Sequence, residues 1–293
     1  MQMARDMKSP REERAAREQR LKLSVAARNF EGVPLFEALE RISAIGFDTI
    51  DNFDWRDPAL FRLYQEGLKR YDLGAGVLVV NKKPDVNALG CSLVDPLERG
   101  GFLREMELCA AAARRVECSR LEVLSGNERP GIPRDVQMDS AVETLQAAVP
   151  LLESEGMTAV VEFLNTEVDH PGYFLGCSRD AVELIQRVGS PRVLVLFDIY
   201  HVQIVEGNVI ERLRSNIDYI GQIHFADVPG RHEPGTGEIN YRSVFRAIYD
   251  LRERYPGYVT AEYHPTDLSF RDLEMVKQLA TFAGETLASG DPI

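Results

Sequence analysis

Four ionisable side chains stand at equivalent places in four successive apolar segments of the second half of this chain. They occur in the sequences VVEF, LFD, IHF and AEY, and they are Glu162, Asp198, His224 and Glu262. Side chains alternate between the two faces of a β-strand, so if the apolar neighbours pack outward each polar residue points inward. One buried carboxylate could be a structural hydrogen-bonding group, but four such residues on successive strands predict a shared site.

The chemistry of this set favours a bound cation. Three acids packed together would repel one another strongly in a low dielectric. A divalent metal ion would remove that repulsion. Oxygen ligands with a single imidazole suit Mg²⁺ or Mn²⁺ best, and Co²⁺ or Zn²⁺ are tolerable. We therefore predict a metal site formed by Glu162, Asp198, His224 and Glu262.

Histidines are also concentrated in the second half of the chain, at positions 170, 201, 224, 232 and 264. A lone histidine is usually structural, but this clustering indicates that at least two of them line a polar cavity. His201 follows Asp198 by three residues at the exit of a predicted strand. We expect it to contact substrate or to orient a metal ligand.

The segment DVPGRHEPGTGE, residues 227–238, follows the predicted strand that carries His224. Its prolines and glycines specify a turn-rich path, which explains part of this composition without any function. Arg231 and His232 add donors suited to an anionic or polyhydroxy substrate. We expect both side chains to contact substrate.

These residues need a scaffold that brings the ends of several strands together. From Leu21 onward, eight β-rich apolar segments alternate with helical segments, at residues 21–28, 47–53, 73–80, 120–125, 158–163, 193–198, 220–226 and 258–263. Near-continuous apolar runs such as VLVLF are typical of parallel strands buried on both faces. The count of eight favours a closed (β/α)₈ TIM barrel, whose chemistry lies at the carboxyl ends of its strands. A doubly wound sheet is the alternative, but no GxGxxG or GxxxxGK[ST] motif follows any strand.

Helix ends are also predicted. Ser140 and Glu143 form a capping box that should open a helix running to Gly156, and Pro150 should kink or shorten that helix. Ser178 can cap the next helix.

Composition excludes several classes of protein. A net charge of −12 gives little support for nucleic-acid binding. No apolar run approaches the roughly 20 residues that a membrane span requires. The four cysteines form no CxxC pair or zinc spacing, so we interpret them as reduced thiols and expect a cytoplasmic protein.

One domain is the simplest organisation, since no low-complexity linker interrupts residues 21–293. Residues 1–20 form a charged N-terminal extension that fits neither a secretory signal nor a transit peptide. The sequence Ser9-Pro10-Arg11-Glu12 could open a short helix there, although a solvated or disordered segment is the favoured interpretation.

Several motifs resemble the hydroxypyruvate isomerase family, within the xylose-isomerase-like TIM barrels. They are PGYFL (171–175), FDIYH (197–201), EGN (206–208) and ADVPGRHEPGTGEINY (226–241), with the strand-end Glu162 and Glu262. The resemblance covers most of residues 140–265, and the first half only in its general pattern. It implies a metal held by Glu162, Asp198, His224 and Glu262, with the two glutamates as a proton-transfer pair, and a homo-oligomer.

The resemblance implies interconversion of an α-hydroxy aldehyde and an α-hydroxy ketone, as hydroxypyruvate and tartronate semialdehyde interconvert. Two departures put the substrate in question. His224 stands where these isomerases usually carry glutamine, which is more like the ketose 3-epimerases, and the second strand ends in DNFD (51–54) rather than in a glutamate-bearing pattern.

Four alternatives remain open on this scaffold. They are a ketose 3-epimerase, a dehydratase or lyase, a metal-dependent phosphodiesterase of the endonuclease type, and a non-catalytic partner subunit. The charge of −12 and the single metal set argue against the phosphodiesterase. The Glu162 and Glu262 pair argues against a non-catalytic subunit.

Overall fold

The computed structural model describes residues 20–81 and 90–289. Within these ranges the strands are β1 (Leu23–Ala26), β2 (Thr49–Asp51), β3 (Gly74–Ala75), β4 (Leu78–Val79), β5 (Arg120–Leu124), β6 (Thr158–Glu162), β7 (Val193–Asp198), β8 (Ile220–Phe225) and β9 (Val259–Ala261). The helices are α1 (Leu35–Ile45), α2 (Pro58–Arg70), α3 (Arg99–Arg114), α4 (Arg134–Glu155), α5 (Ser178–Val188), α6 (Ile199–Val205), α7 (Val209–Asn216), α8 (Tyr241–Asp250) and α9 (Arg271–Ser289).

All of these strands pair in parallel, in the order β3-β2-β1-β9-β8-β7-β6-β5-β4. β3 and β4 are separated only by Gly76 and Val77, so together they form one stave of the barrel, with β3 paired to β2 and β4 paired to β5. The described strands therefore close a barrel of eight staves, as predicted. The predicted strand over 73–80 is correct in place but is divided in the middle.

Gly76, where the strand divides, leaves no room for a side chain. A Cβ atom at this position would lie 1.9 Å from Asp51 Oδ1 and 2.8 Å from Thr49 Oγ1. Asp51 ends β2 and is fully buried. The third strand of the barrel thus has no side chain next to the buried Asp51 carboxylate.

The alternation of side chains follows the predicted pattern. Residues flanking the polar positions, such as Val161, Phe197, Ile223 and Ala261, belong to the main hydrophobic core. Burying a large apolar side chain contributes roughly 1.5–3 kcal/mol, so a one-residue slip in any of these strands would be costly. A separate small cluster, formed by Val77, Val160 and Leu196, also takes part in the packing.

One helix start was predicted wrongly. α4 begins at Arg134, directly after Pro133, so Ser140 lies inside the helix instead of capping it. The Ser140 side chain is buried and donates a hydrogen bond to the Leu93 carbonyl oxygen at 2.9 Å. The predicted end is correct, because Gly156 terminates the helix in the left-handed conformation, and Pro150 lies within it.

The predicted cap of α5 is wrong, because Ser178 is the first residue of this helix and Cys177 stands at the cap position. The carboxylate of Glu206 accepts hydrogen bonds from the Ser178 backbone N–H at 2.5 Å and from its hydroxyl at 2.9 Å. Glu206 comes from the EGN segment, which follows α6. An acceptor distant in sequence therefore satisfies the first turn of this helix.

The predicted N-terminal extension, including its Ser9 capping box, lies outside the described residues, apart from Arg20 at its end. Arg20 pairs with Asp48, with Nη1 2.9 Å from Oδ2. Of the helices in the described ranges, none combines the length and the apolar character needed to cross a bilayer.

The packing around Gly76 predicts a specific sensitivity. Gly76→Ala should lower the free energy of unfolding by about 1–3 kcal/mol, because the new methyl group would displace the Asp51 carboxylate. Gly100→Ala is the matched control, since its Cβ would meet nothing closer than Arg104 Nη1 at 3.6 Å and it lies in helix α3. Urea unfolding of both variants checks this, and equal stabilities would contradict the steric explanation.

Candidate active site

The structure brings the four predicted side chains together at the carboxyl ends of neighbouring strands. Glu162 and Asp198 end β6 and β7, His224 lies in β8, and Glu262 follows β9. Their exposed fractions are 5%, 0%, 0% and 5% respectively. Ligand atoms of Glu162, His224 and Glu262 lie within 4.8 Å of one another, and the same holds for Glu162, Asp198 and His201.

Arg231 lies directly against two of these acids. Its Nη2 atom is 2.7 Å from Glu262 Oε2 and 3.1 Å from Asp198 Oδ2. The guanidinium also lies over the ring of Tyr200, 4.9 Å from its centroid. The predicted substrate-binding arginine is therefore placed at the centre of the acidic cluster.

The residues present fit a divalent cation. His224 Nδ1 is buried and has no hydrogen-bond partner among the described residues, although it lies 3.4 Å from Glu262 Oε2. A buried polar atom without a partner is costly unless something satisfies it. Three carboxylates and one imidazole nitrogen form a donor set that Mg²⁺, Mn²⁺, Co²⁺ or Zn²⁺ accepts.

The two glutamates experience different environments. Burial raises the pKa of Glu162 well above its ordinary value, and the nearby Glu122 and Glu262 raise it further. Burial also raises the pKa of Glu262, but Arg231 and then His224 outweigh it, so the pKa of Glu262 falls well below its ordinary value. Two carboxyl groups in one site with pKa values pushed apart are typical of acid–base pairs.

Asp51 forms a polar layer beneath His224. Its carboxylate accepts hydrogen bonds from side chains of three other strands, at 2.7 Å from Thr260, 2.9 Å from Gln222 and 2.5 Å from Ser24. His224 Nε2 lies 3.5 Å from Asp51 Oδ2. A carboxylate behind a histidine fixes the orientation and tautomer of the ring.

Asp51 and Glu262 also affect the protonation of His224. Burial lowers the pKa of His224, but the two carboxylates on either side outweigh this effect and leave the pKa well above its ordinary value. A metal ligand must be a neutral imidazole, so cation binding at Nδ1 would release a proton.

His201 is held in one tautomer by Asn165. The Asn165 backbone N–H donates to His201 Nδ1 at 3.2 Å, and the Asn165 side-chain amide lies 2.7 Å from the same atom. Burial, assisted by Arg231 and His170, lowers the pKa of His201 well below its ordinary value. The neutral ring therefore carries its proton on Nε2, which lies 3.4 Å from Asp198 Oδ2. This arrangement makes His201 a hydrogen-bond donor.

The loop that carries Arg231 is organised by Asp227. Asp227 Oδ2 accepts hydrogen bonds from the backbone N–H groups of Gly235 at 2.8 Å and Gly237 at 3.0 Å. Asp227 Oδ1 accepts from Val228 at 2.9 Å and from Ile239 at 3.1 Å. A single buried carboxylate thus gathers the turn-rich segment into one fixed path.

Further contacts tie this loop to the segment after β9. Glu233 accepts hydrogen bonds from the Thr266 hydroxyl and, at 3.0 Å, from the Thr266 backbone N–H. His232 Nδ1 lies 2.7 Å from the His264 carbonyl oxygen. The His232 ring is therefore engaged with backbone, and its contact with substrate stays a prediction.

A cavity of about 420 Å³ opens beside Glu262. Its walls come mainly from segments after β1 and β2, including Arg28, Asn52, Trp55 and Arg56. These residues were not predicted as site residues. Their positions in the sequence could have indicated a role in the site. Arg28 ends the first predicted strand segment, and Asn52 belongs to the unusual DNFD sequence.

Comparisons with known proteins agree with the TIM-barrel fold. A family model described as a xylose isomerase-like TIM barrel matches residues 39–279. A Danio rerio relative named "Putative hydroxypyruvate isomerase" is 31% identical over 229 residues, which cover 74% of this chain and 82% of the relative. A 2-oxo-tetronate isomerase from Pectobacterium atrosepticum is 28% identical over 244 residues, which cover 80% of this chain and 88% of that protein.

Solved structures share the architecture. The crystal structure of an AP endonuclease, family 2, from Brucella melitensis superimposes with a TM-score of 0.75 at 25% sequence identity. The match covers 93% of this chain and 100% of that chain.

The role of Asp227 gives a testable prediction. Asp227→Asn replaces an acceptor of four backbone hydrogen bonds by a group that is itself partly a donor, and should cost about 1–3 kcal/mol of stability. Amide hydrogen exchange should accelerate at Gly235 and Gly237. Asp218→Asn is the control, because its ion pair with Arg254 is exposed to solvent and contributes little to stability. Unchanged exchange in the Asp227 variant would show that the loop is held by other contacts.

Proposed function

The chain belongs to the xylose isomerase-like TIM barrel family, and we propose that it is a metal-dependent isomerase of a small hydroxy-carbonyl compound. The proposed reaction converts hydroxypyruvate to tartronate semialdehyde, or acts on a close analogue. The observation that supports it is the approach of Glu162 and Glu262 to within 4.8 Å of each other and of His224 in a buried cluster. The resemblance to the isomerase relatives supports the same reaction class.

Glu162, Asp198, His224 and Glu262 would hold the metal, with Mg²⁺ or Mn²⁺ as the best match and Co²⁺ or Zn²⁺ as alternatives. When bound, the cation supplies positive charge that stabilises the negative oxygens of an enediolate. Asp51 would keep His224 oriented toward the acids from beneath.

The two glutamates would move the proton. The C–H proton beside a carbonyl group is too weak an acid to leave unaided, so one glutamate removes it as general base. The other glutamate delivers a proton to the adjacent carbon. We assign Glu162 and Glu262 as a pair without an order, since their roles exchange when the reaction runs in reverse.

His201 and Arg231 would position the substrate. Asn165 occupies His201 Nδ1, so Nε2–H is available to donate to a substrate oxygen. The Arg231 guanidinium, 2.7 Å from Glu262, lies where it can bind an oxygen next to the reacting carbon. Bound between these donors and the glutamates, the substrate would be held for proton transfer.

A ketose 3-epimerase is the second candidate. It would use the same glutamates on opposite faces of one carbon. His224 favours the epimerase slightly, whereas the loop PGRHEPGTGEINY (229–241) favours the isomerase. Products formed from hydroxypyruvate and from several ketoses in D₂O, identified by NMR, separate the two. A lyase or a partner subunit on the same barrel predicts no isomer or epimer in either incubation.

The proposed enzyme also has expected partners, an expected oligomeric state and an expected location. We expect a small-molecule substrate and no nucleic acid, because the net charge of −12 repels a phosphate backbone. A homo-oligomer in the cytoplasm is the expected state.

Removing either carboxylate should abolish turnover while preserving the fold. Glu262→Gln and Glu162→Gln should each lower kcat by a factor of about 10²–10⁴, which is the usual contribution of general acid–base catalysis. The assay is incorporation of solvent deuterium into hydroxypyruvate or its product in D₂O with Mn²⁺. Glu238→Gln, an exposed glutamate of the neighbouring loop, is the control. Rates like those of the parent enzyme in Glu262→Gln would reject the mechanism.

Metal dependence can be tested separately from turnover. After treatment with a chelator, isothermal titration with Mn²⁺ should show one site per chain. Asp198→Asn should weaken that site by at least about tenfold, since even residues behind the ligands commonly contribute this much. Asp250→Asn, which removes an exposed carboxylate paired with Arg246, should leave the affinity unchanged. Equal affinities in both variants would exclude Asp198 as a ligand.

A further inference from the structure

The two carboxylate oxygens of Glu262 face different groups. Oε2 lies against Arg231 and His224, within the acidic cluster. Oε1 faces Arg28, at 3.8 Å from its Nη1 atom, and Asn52, at 3.4 Å from its Nδ2 atom. The cavity of about 420 Å³ opens on this side, so Glu262 stands between the cluster and a second set of polar groups.

Within the described residues, the Arg28 guanidinium makes an ion pair but no hydrogen bond. Its contact with Glu262 at 3.8 Å is an ion pair but is too long for a hydrogen bond. The guanidinium finds no hydrogen-bond acceptor among residues 20–81 and 90–289. The Arg28 side chain is 28% exposed. By contrast, Arg56, which also lines the cavity, contacts the Val80 carbonyl oxygen and Glu105.

Asn52 supplies a second polar group at the same wall. Its backbone is in the left-handed region, with φ of 57°, which asparagine tolerates better than most residues. Its Oδ1 atom is buried and lacks a hydrogen-bond partner within the described part of the chain. As an acceptor it can receive a substrate hydroxyl, whereas the donors of the Arg28 guanidinium, which make no hydrogen bond to the described residues, can bind an anionic oxygen beside Glu262.

We propose that Arg28, beside the Asn52 amide, forms a subsite for a carboxylate of the substrate, and that Arg28 selects hydroxy-keto acids over neutral sugars. A guanidinium binds a carboxylate through two parallel hydrogen bonds, which no neutral hydroxyl can match. Because Arg28 lies next to Glu262, the group it binds is adjacent to the carbon whose proton Glu262 would move. This subsite rests on the proposed function for the reaction that takes place beside it.

The acidic residues around the cavity limit how much negative charge a bound substrate group can carry. Glu31 and Asp54 line the cavity together with Glu262. They repel a dianionic phosphate more strongly than a single carboxylate, so we assign the subsite to a monoanion. A neutral polyhydroxy compound that donates to these acids is the competing occupant.

The test compares an anionic and a neutral substrate that share one hydroxy-carbonyl unit. Deuterium exchange in D₂O with Mn²⁺ is measured for hydroxypyruvate and for dihydroxyacetone. Arg28→Met should lower kcat/KM for hydroxypyruvate by about 10- to 100-fold, the value of hydrogen bonds to a charged group, mainly through KM. The rate with dihydroxyacetone should not fall, and Arg28→Lys should recover part of the loss.

Arg254→Met is the matched control, since Arg254 pairs with the exposed Asp218 ahead of β8. It should change neither rate. Equal losses with both substrates in Arg28→Met would assign Arg28 to holding Glu262 and overturn the subsite, as would unchanged selectivity.

Binding measurements distinguish a failure of the subsite proposal from a failure of the proposed isomerase function. If the parent protein exchanges neither compound, the isomerase proposal fails, but calorimetric titration with glycerate and with glycerol still reports on Arg28. Loss of glycerate affinity in Arg28→Met, but not in Arg254→Met, supports the subsite. Glycerate affinity that is the same in both variants overturns it.

Discussion

Burial of three carboxylates at one end of the barrel is the constraint on which the site depends. Two unit charges about 4 Å apart interact by roughly 4 kcal/mol at the effective dielectric of a protein near its surface. Glu162, Asp198 and Glu262 can therefore share this space only if positive charge lies among them or one of them holds a proton, and the raised pKa of Glu162 favours a proton there. Arg231 supplies part of the positive charge through contacts of 2.7 and 3.1 Å, and the donor set around His224 can accept a metal ion.

Strand register keeps these groups at one level. In the β7–β8 pairing Asp198 stands opposite His224, and the β8–β9 pairing carries Phe225 opposite Ala261, next to Glu262. Beneath them, Asp51 receives donors from three other strands and faces His224. The absence of a side chain at Gly76 makes room for this carboxylate. The geometry of the acidic cluster is thus supported by the interior of the barrel as well as by its loops.

The sequence was sufficient to predict the barrel and the four cluster residues, because both follow from local patterns. Alternating side chains, with one polar residue at each strand end, reveal which residues point inward without knowledge of the partners. Asp51 shows the limit of this reasoning. Its role depends on Ser24, Gln222 and Thr260, which come from strands up to 209 residues away, and nothing near Asp51 in the chain signals them.

Two other residues have roles that the sequence did not predict, for a similar reason. The capping box at Ser140 satisfies every local rule for a helix start, yet its hydroxyl is used by the Leu93 carbonyl in a tertiary contact. The free guanidinium of Arg28 was not foreseen, since a single arginine after a strand carries no pattern. In both cases a residue acts through a partner that is distant in sequence.

The long segment 226–241 carries much of the family resemblance, but most of its polar residues maintain its shape. Asp227 binds four backbone N–H groups, Glu233 holds Thr266, and the Tyr241 hydroxyl donates to the Ala226 carbonyl oxygen at 2.6 Å. Their combined effect is to place Arg231 against Glu262. The other face of Glu262 is formed by Arg28 and Asn52, from the half of the chain where the resemblance is only general. In the proposed reaction, the groups assigned to proton transfer and those assigned to substrate selection therefore come from different halves of the sequence, which meet at Glu262.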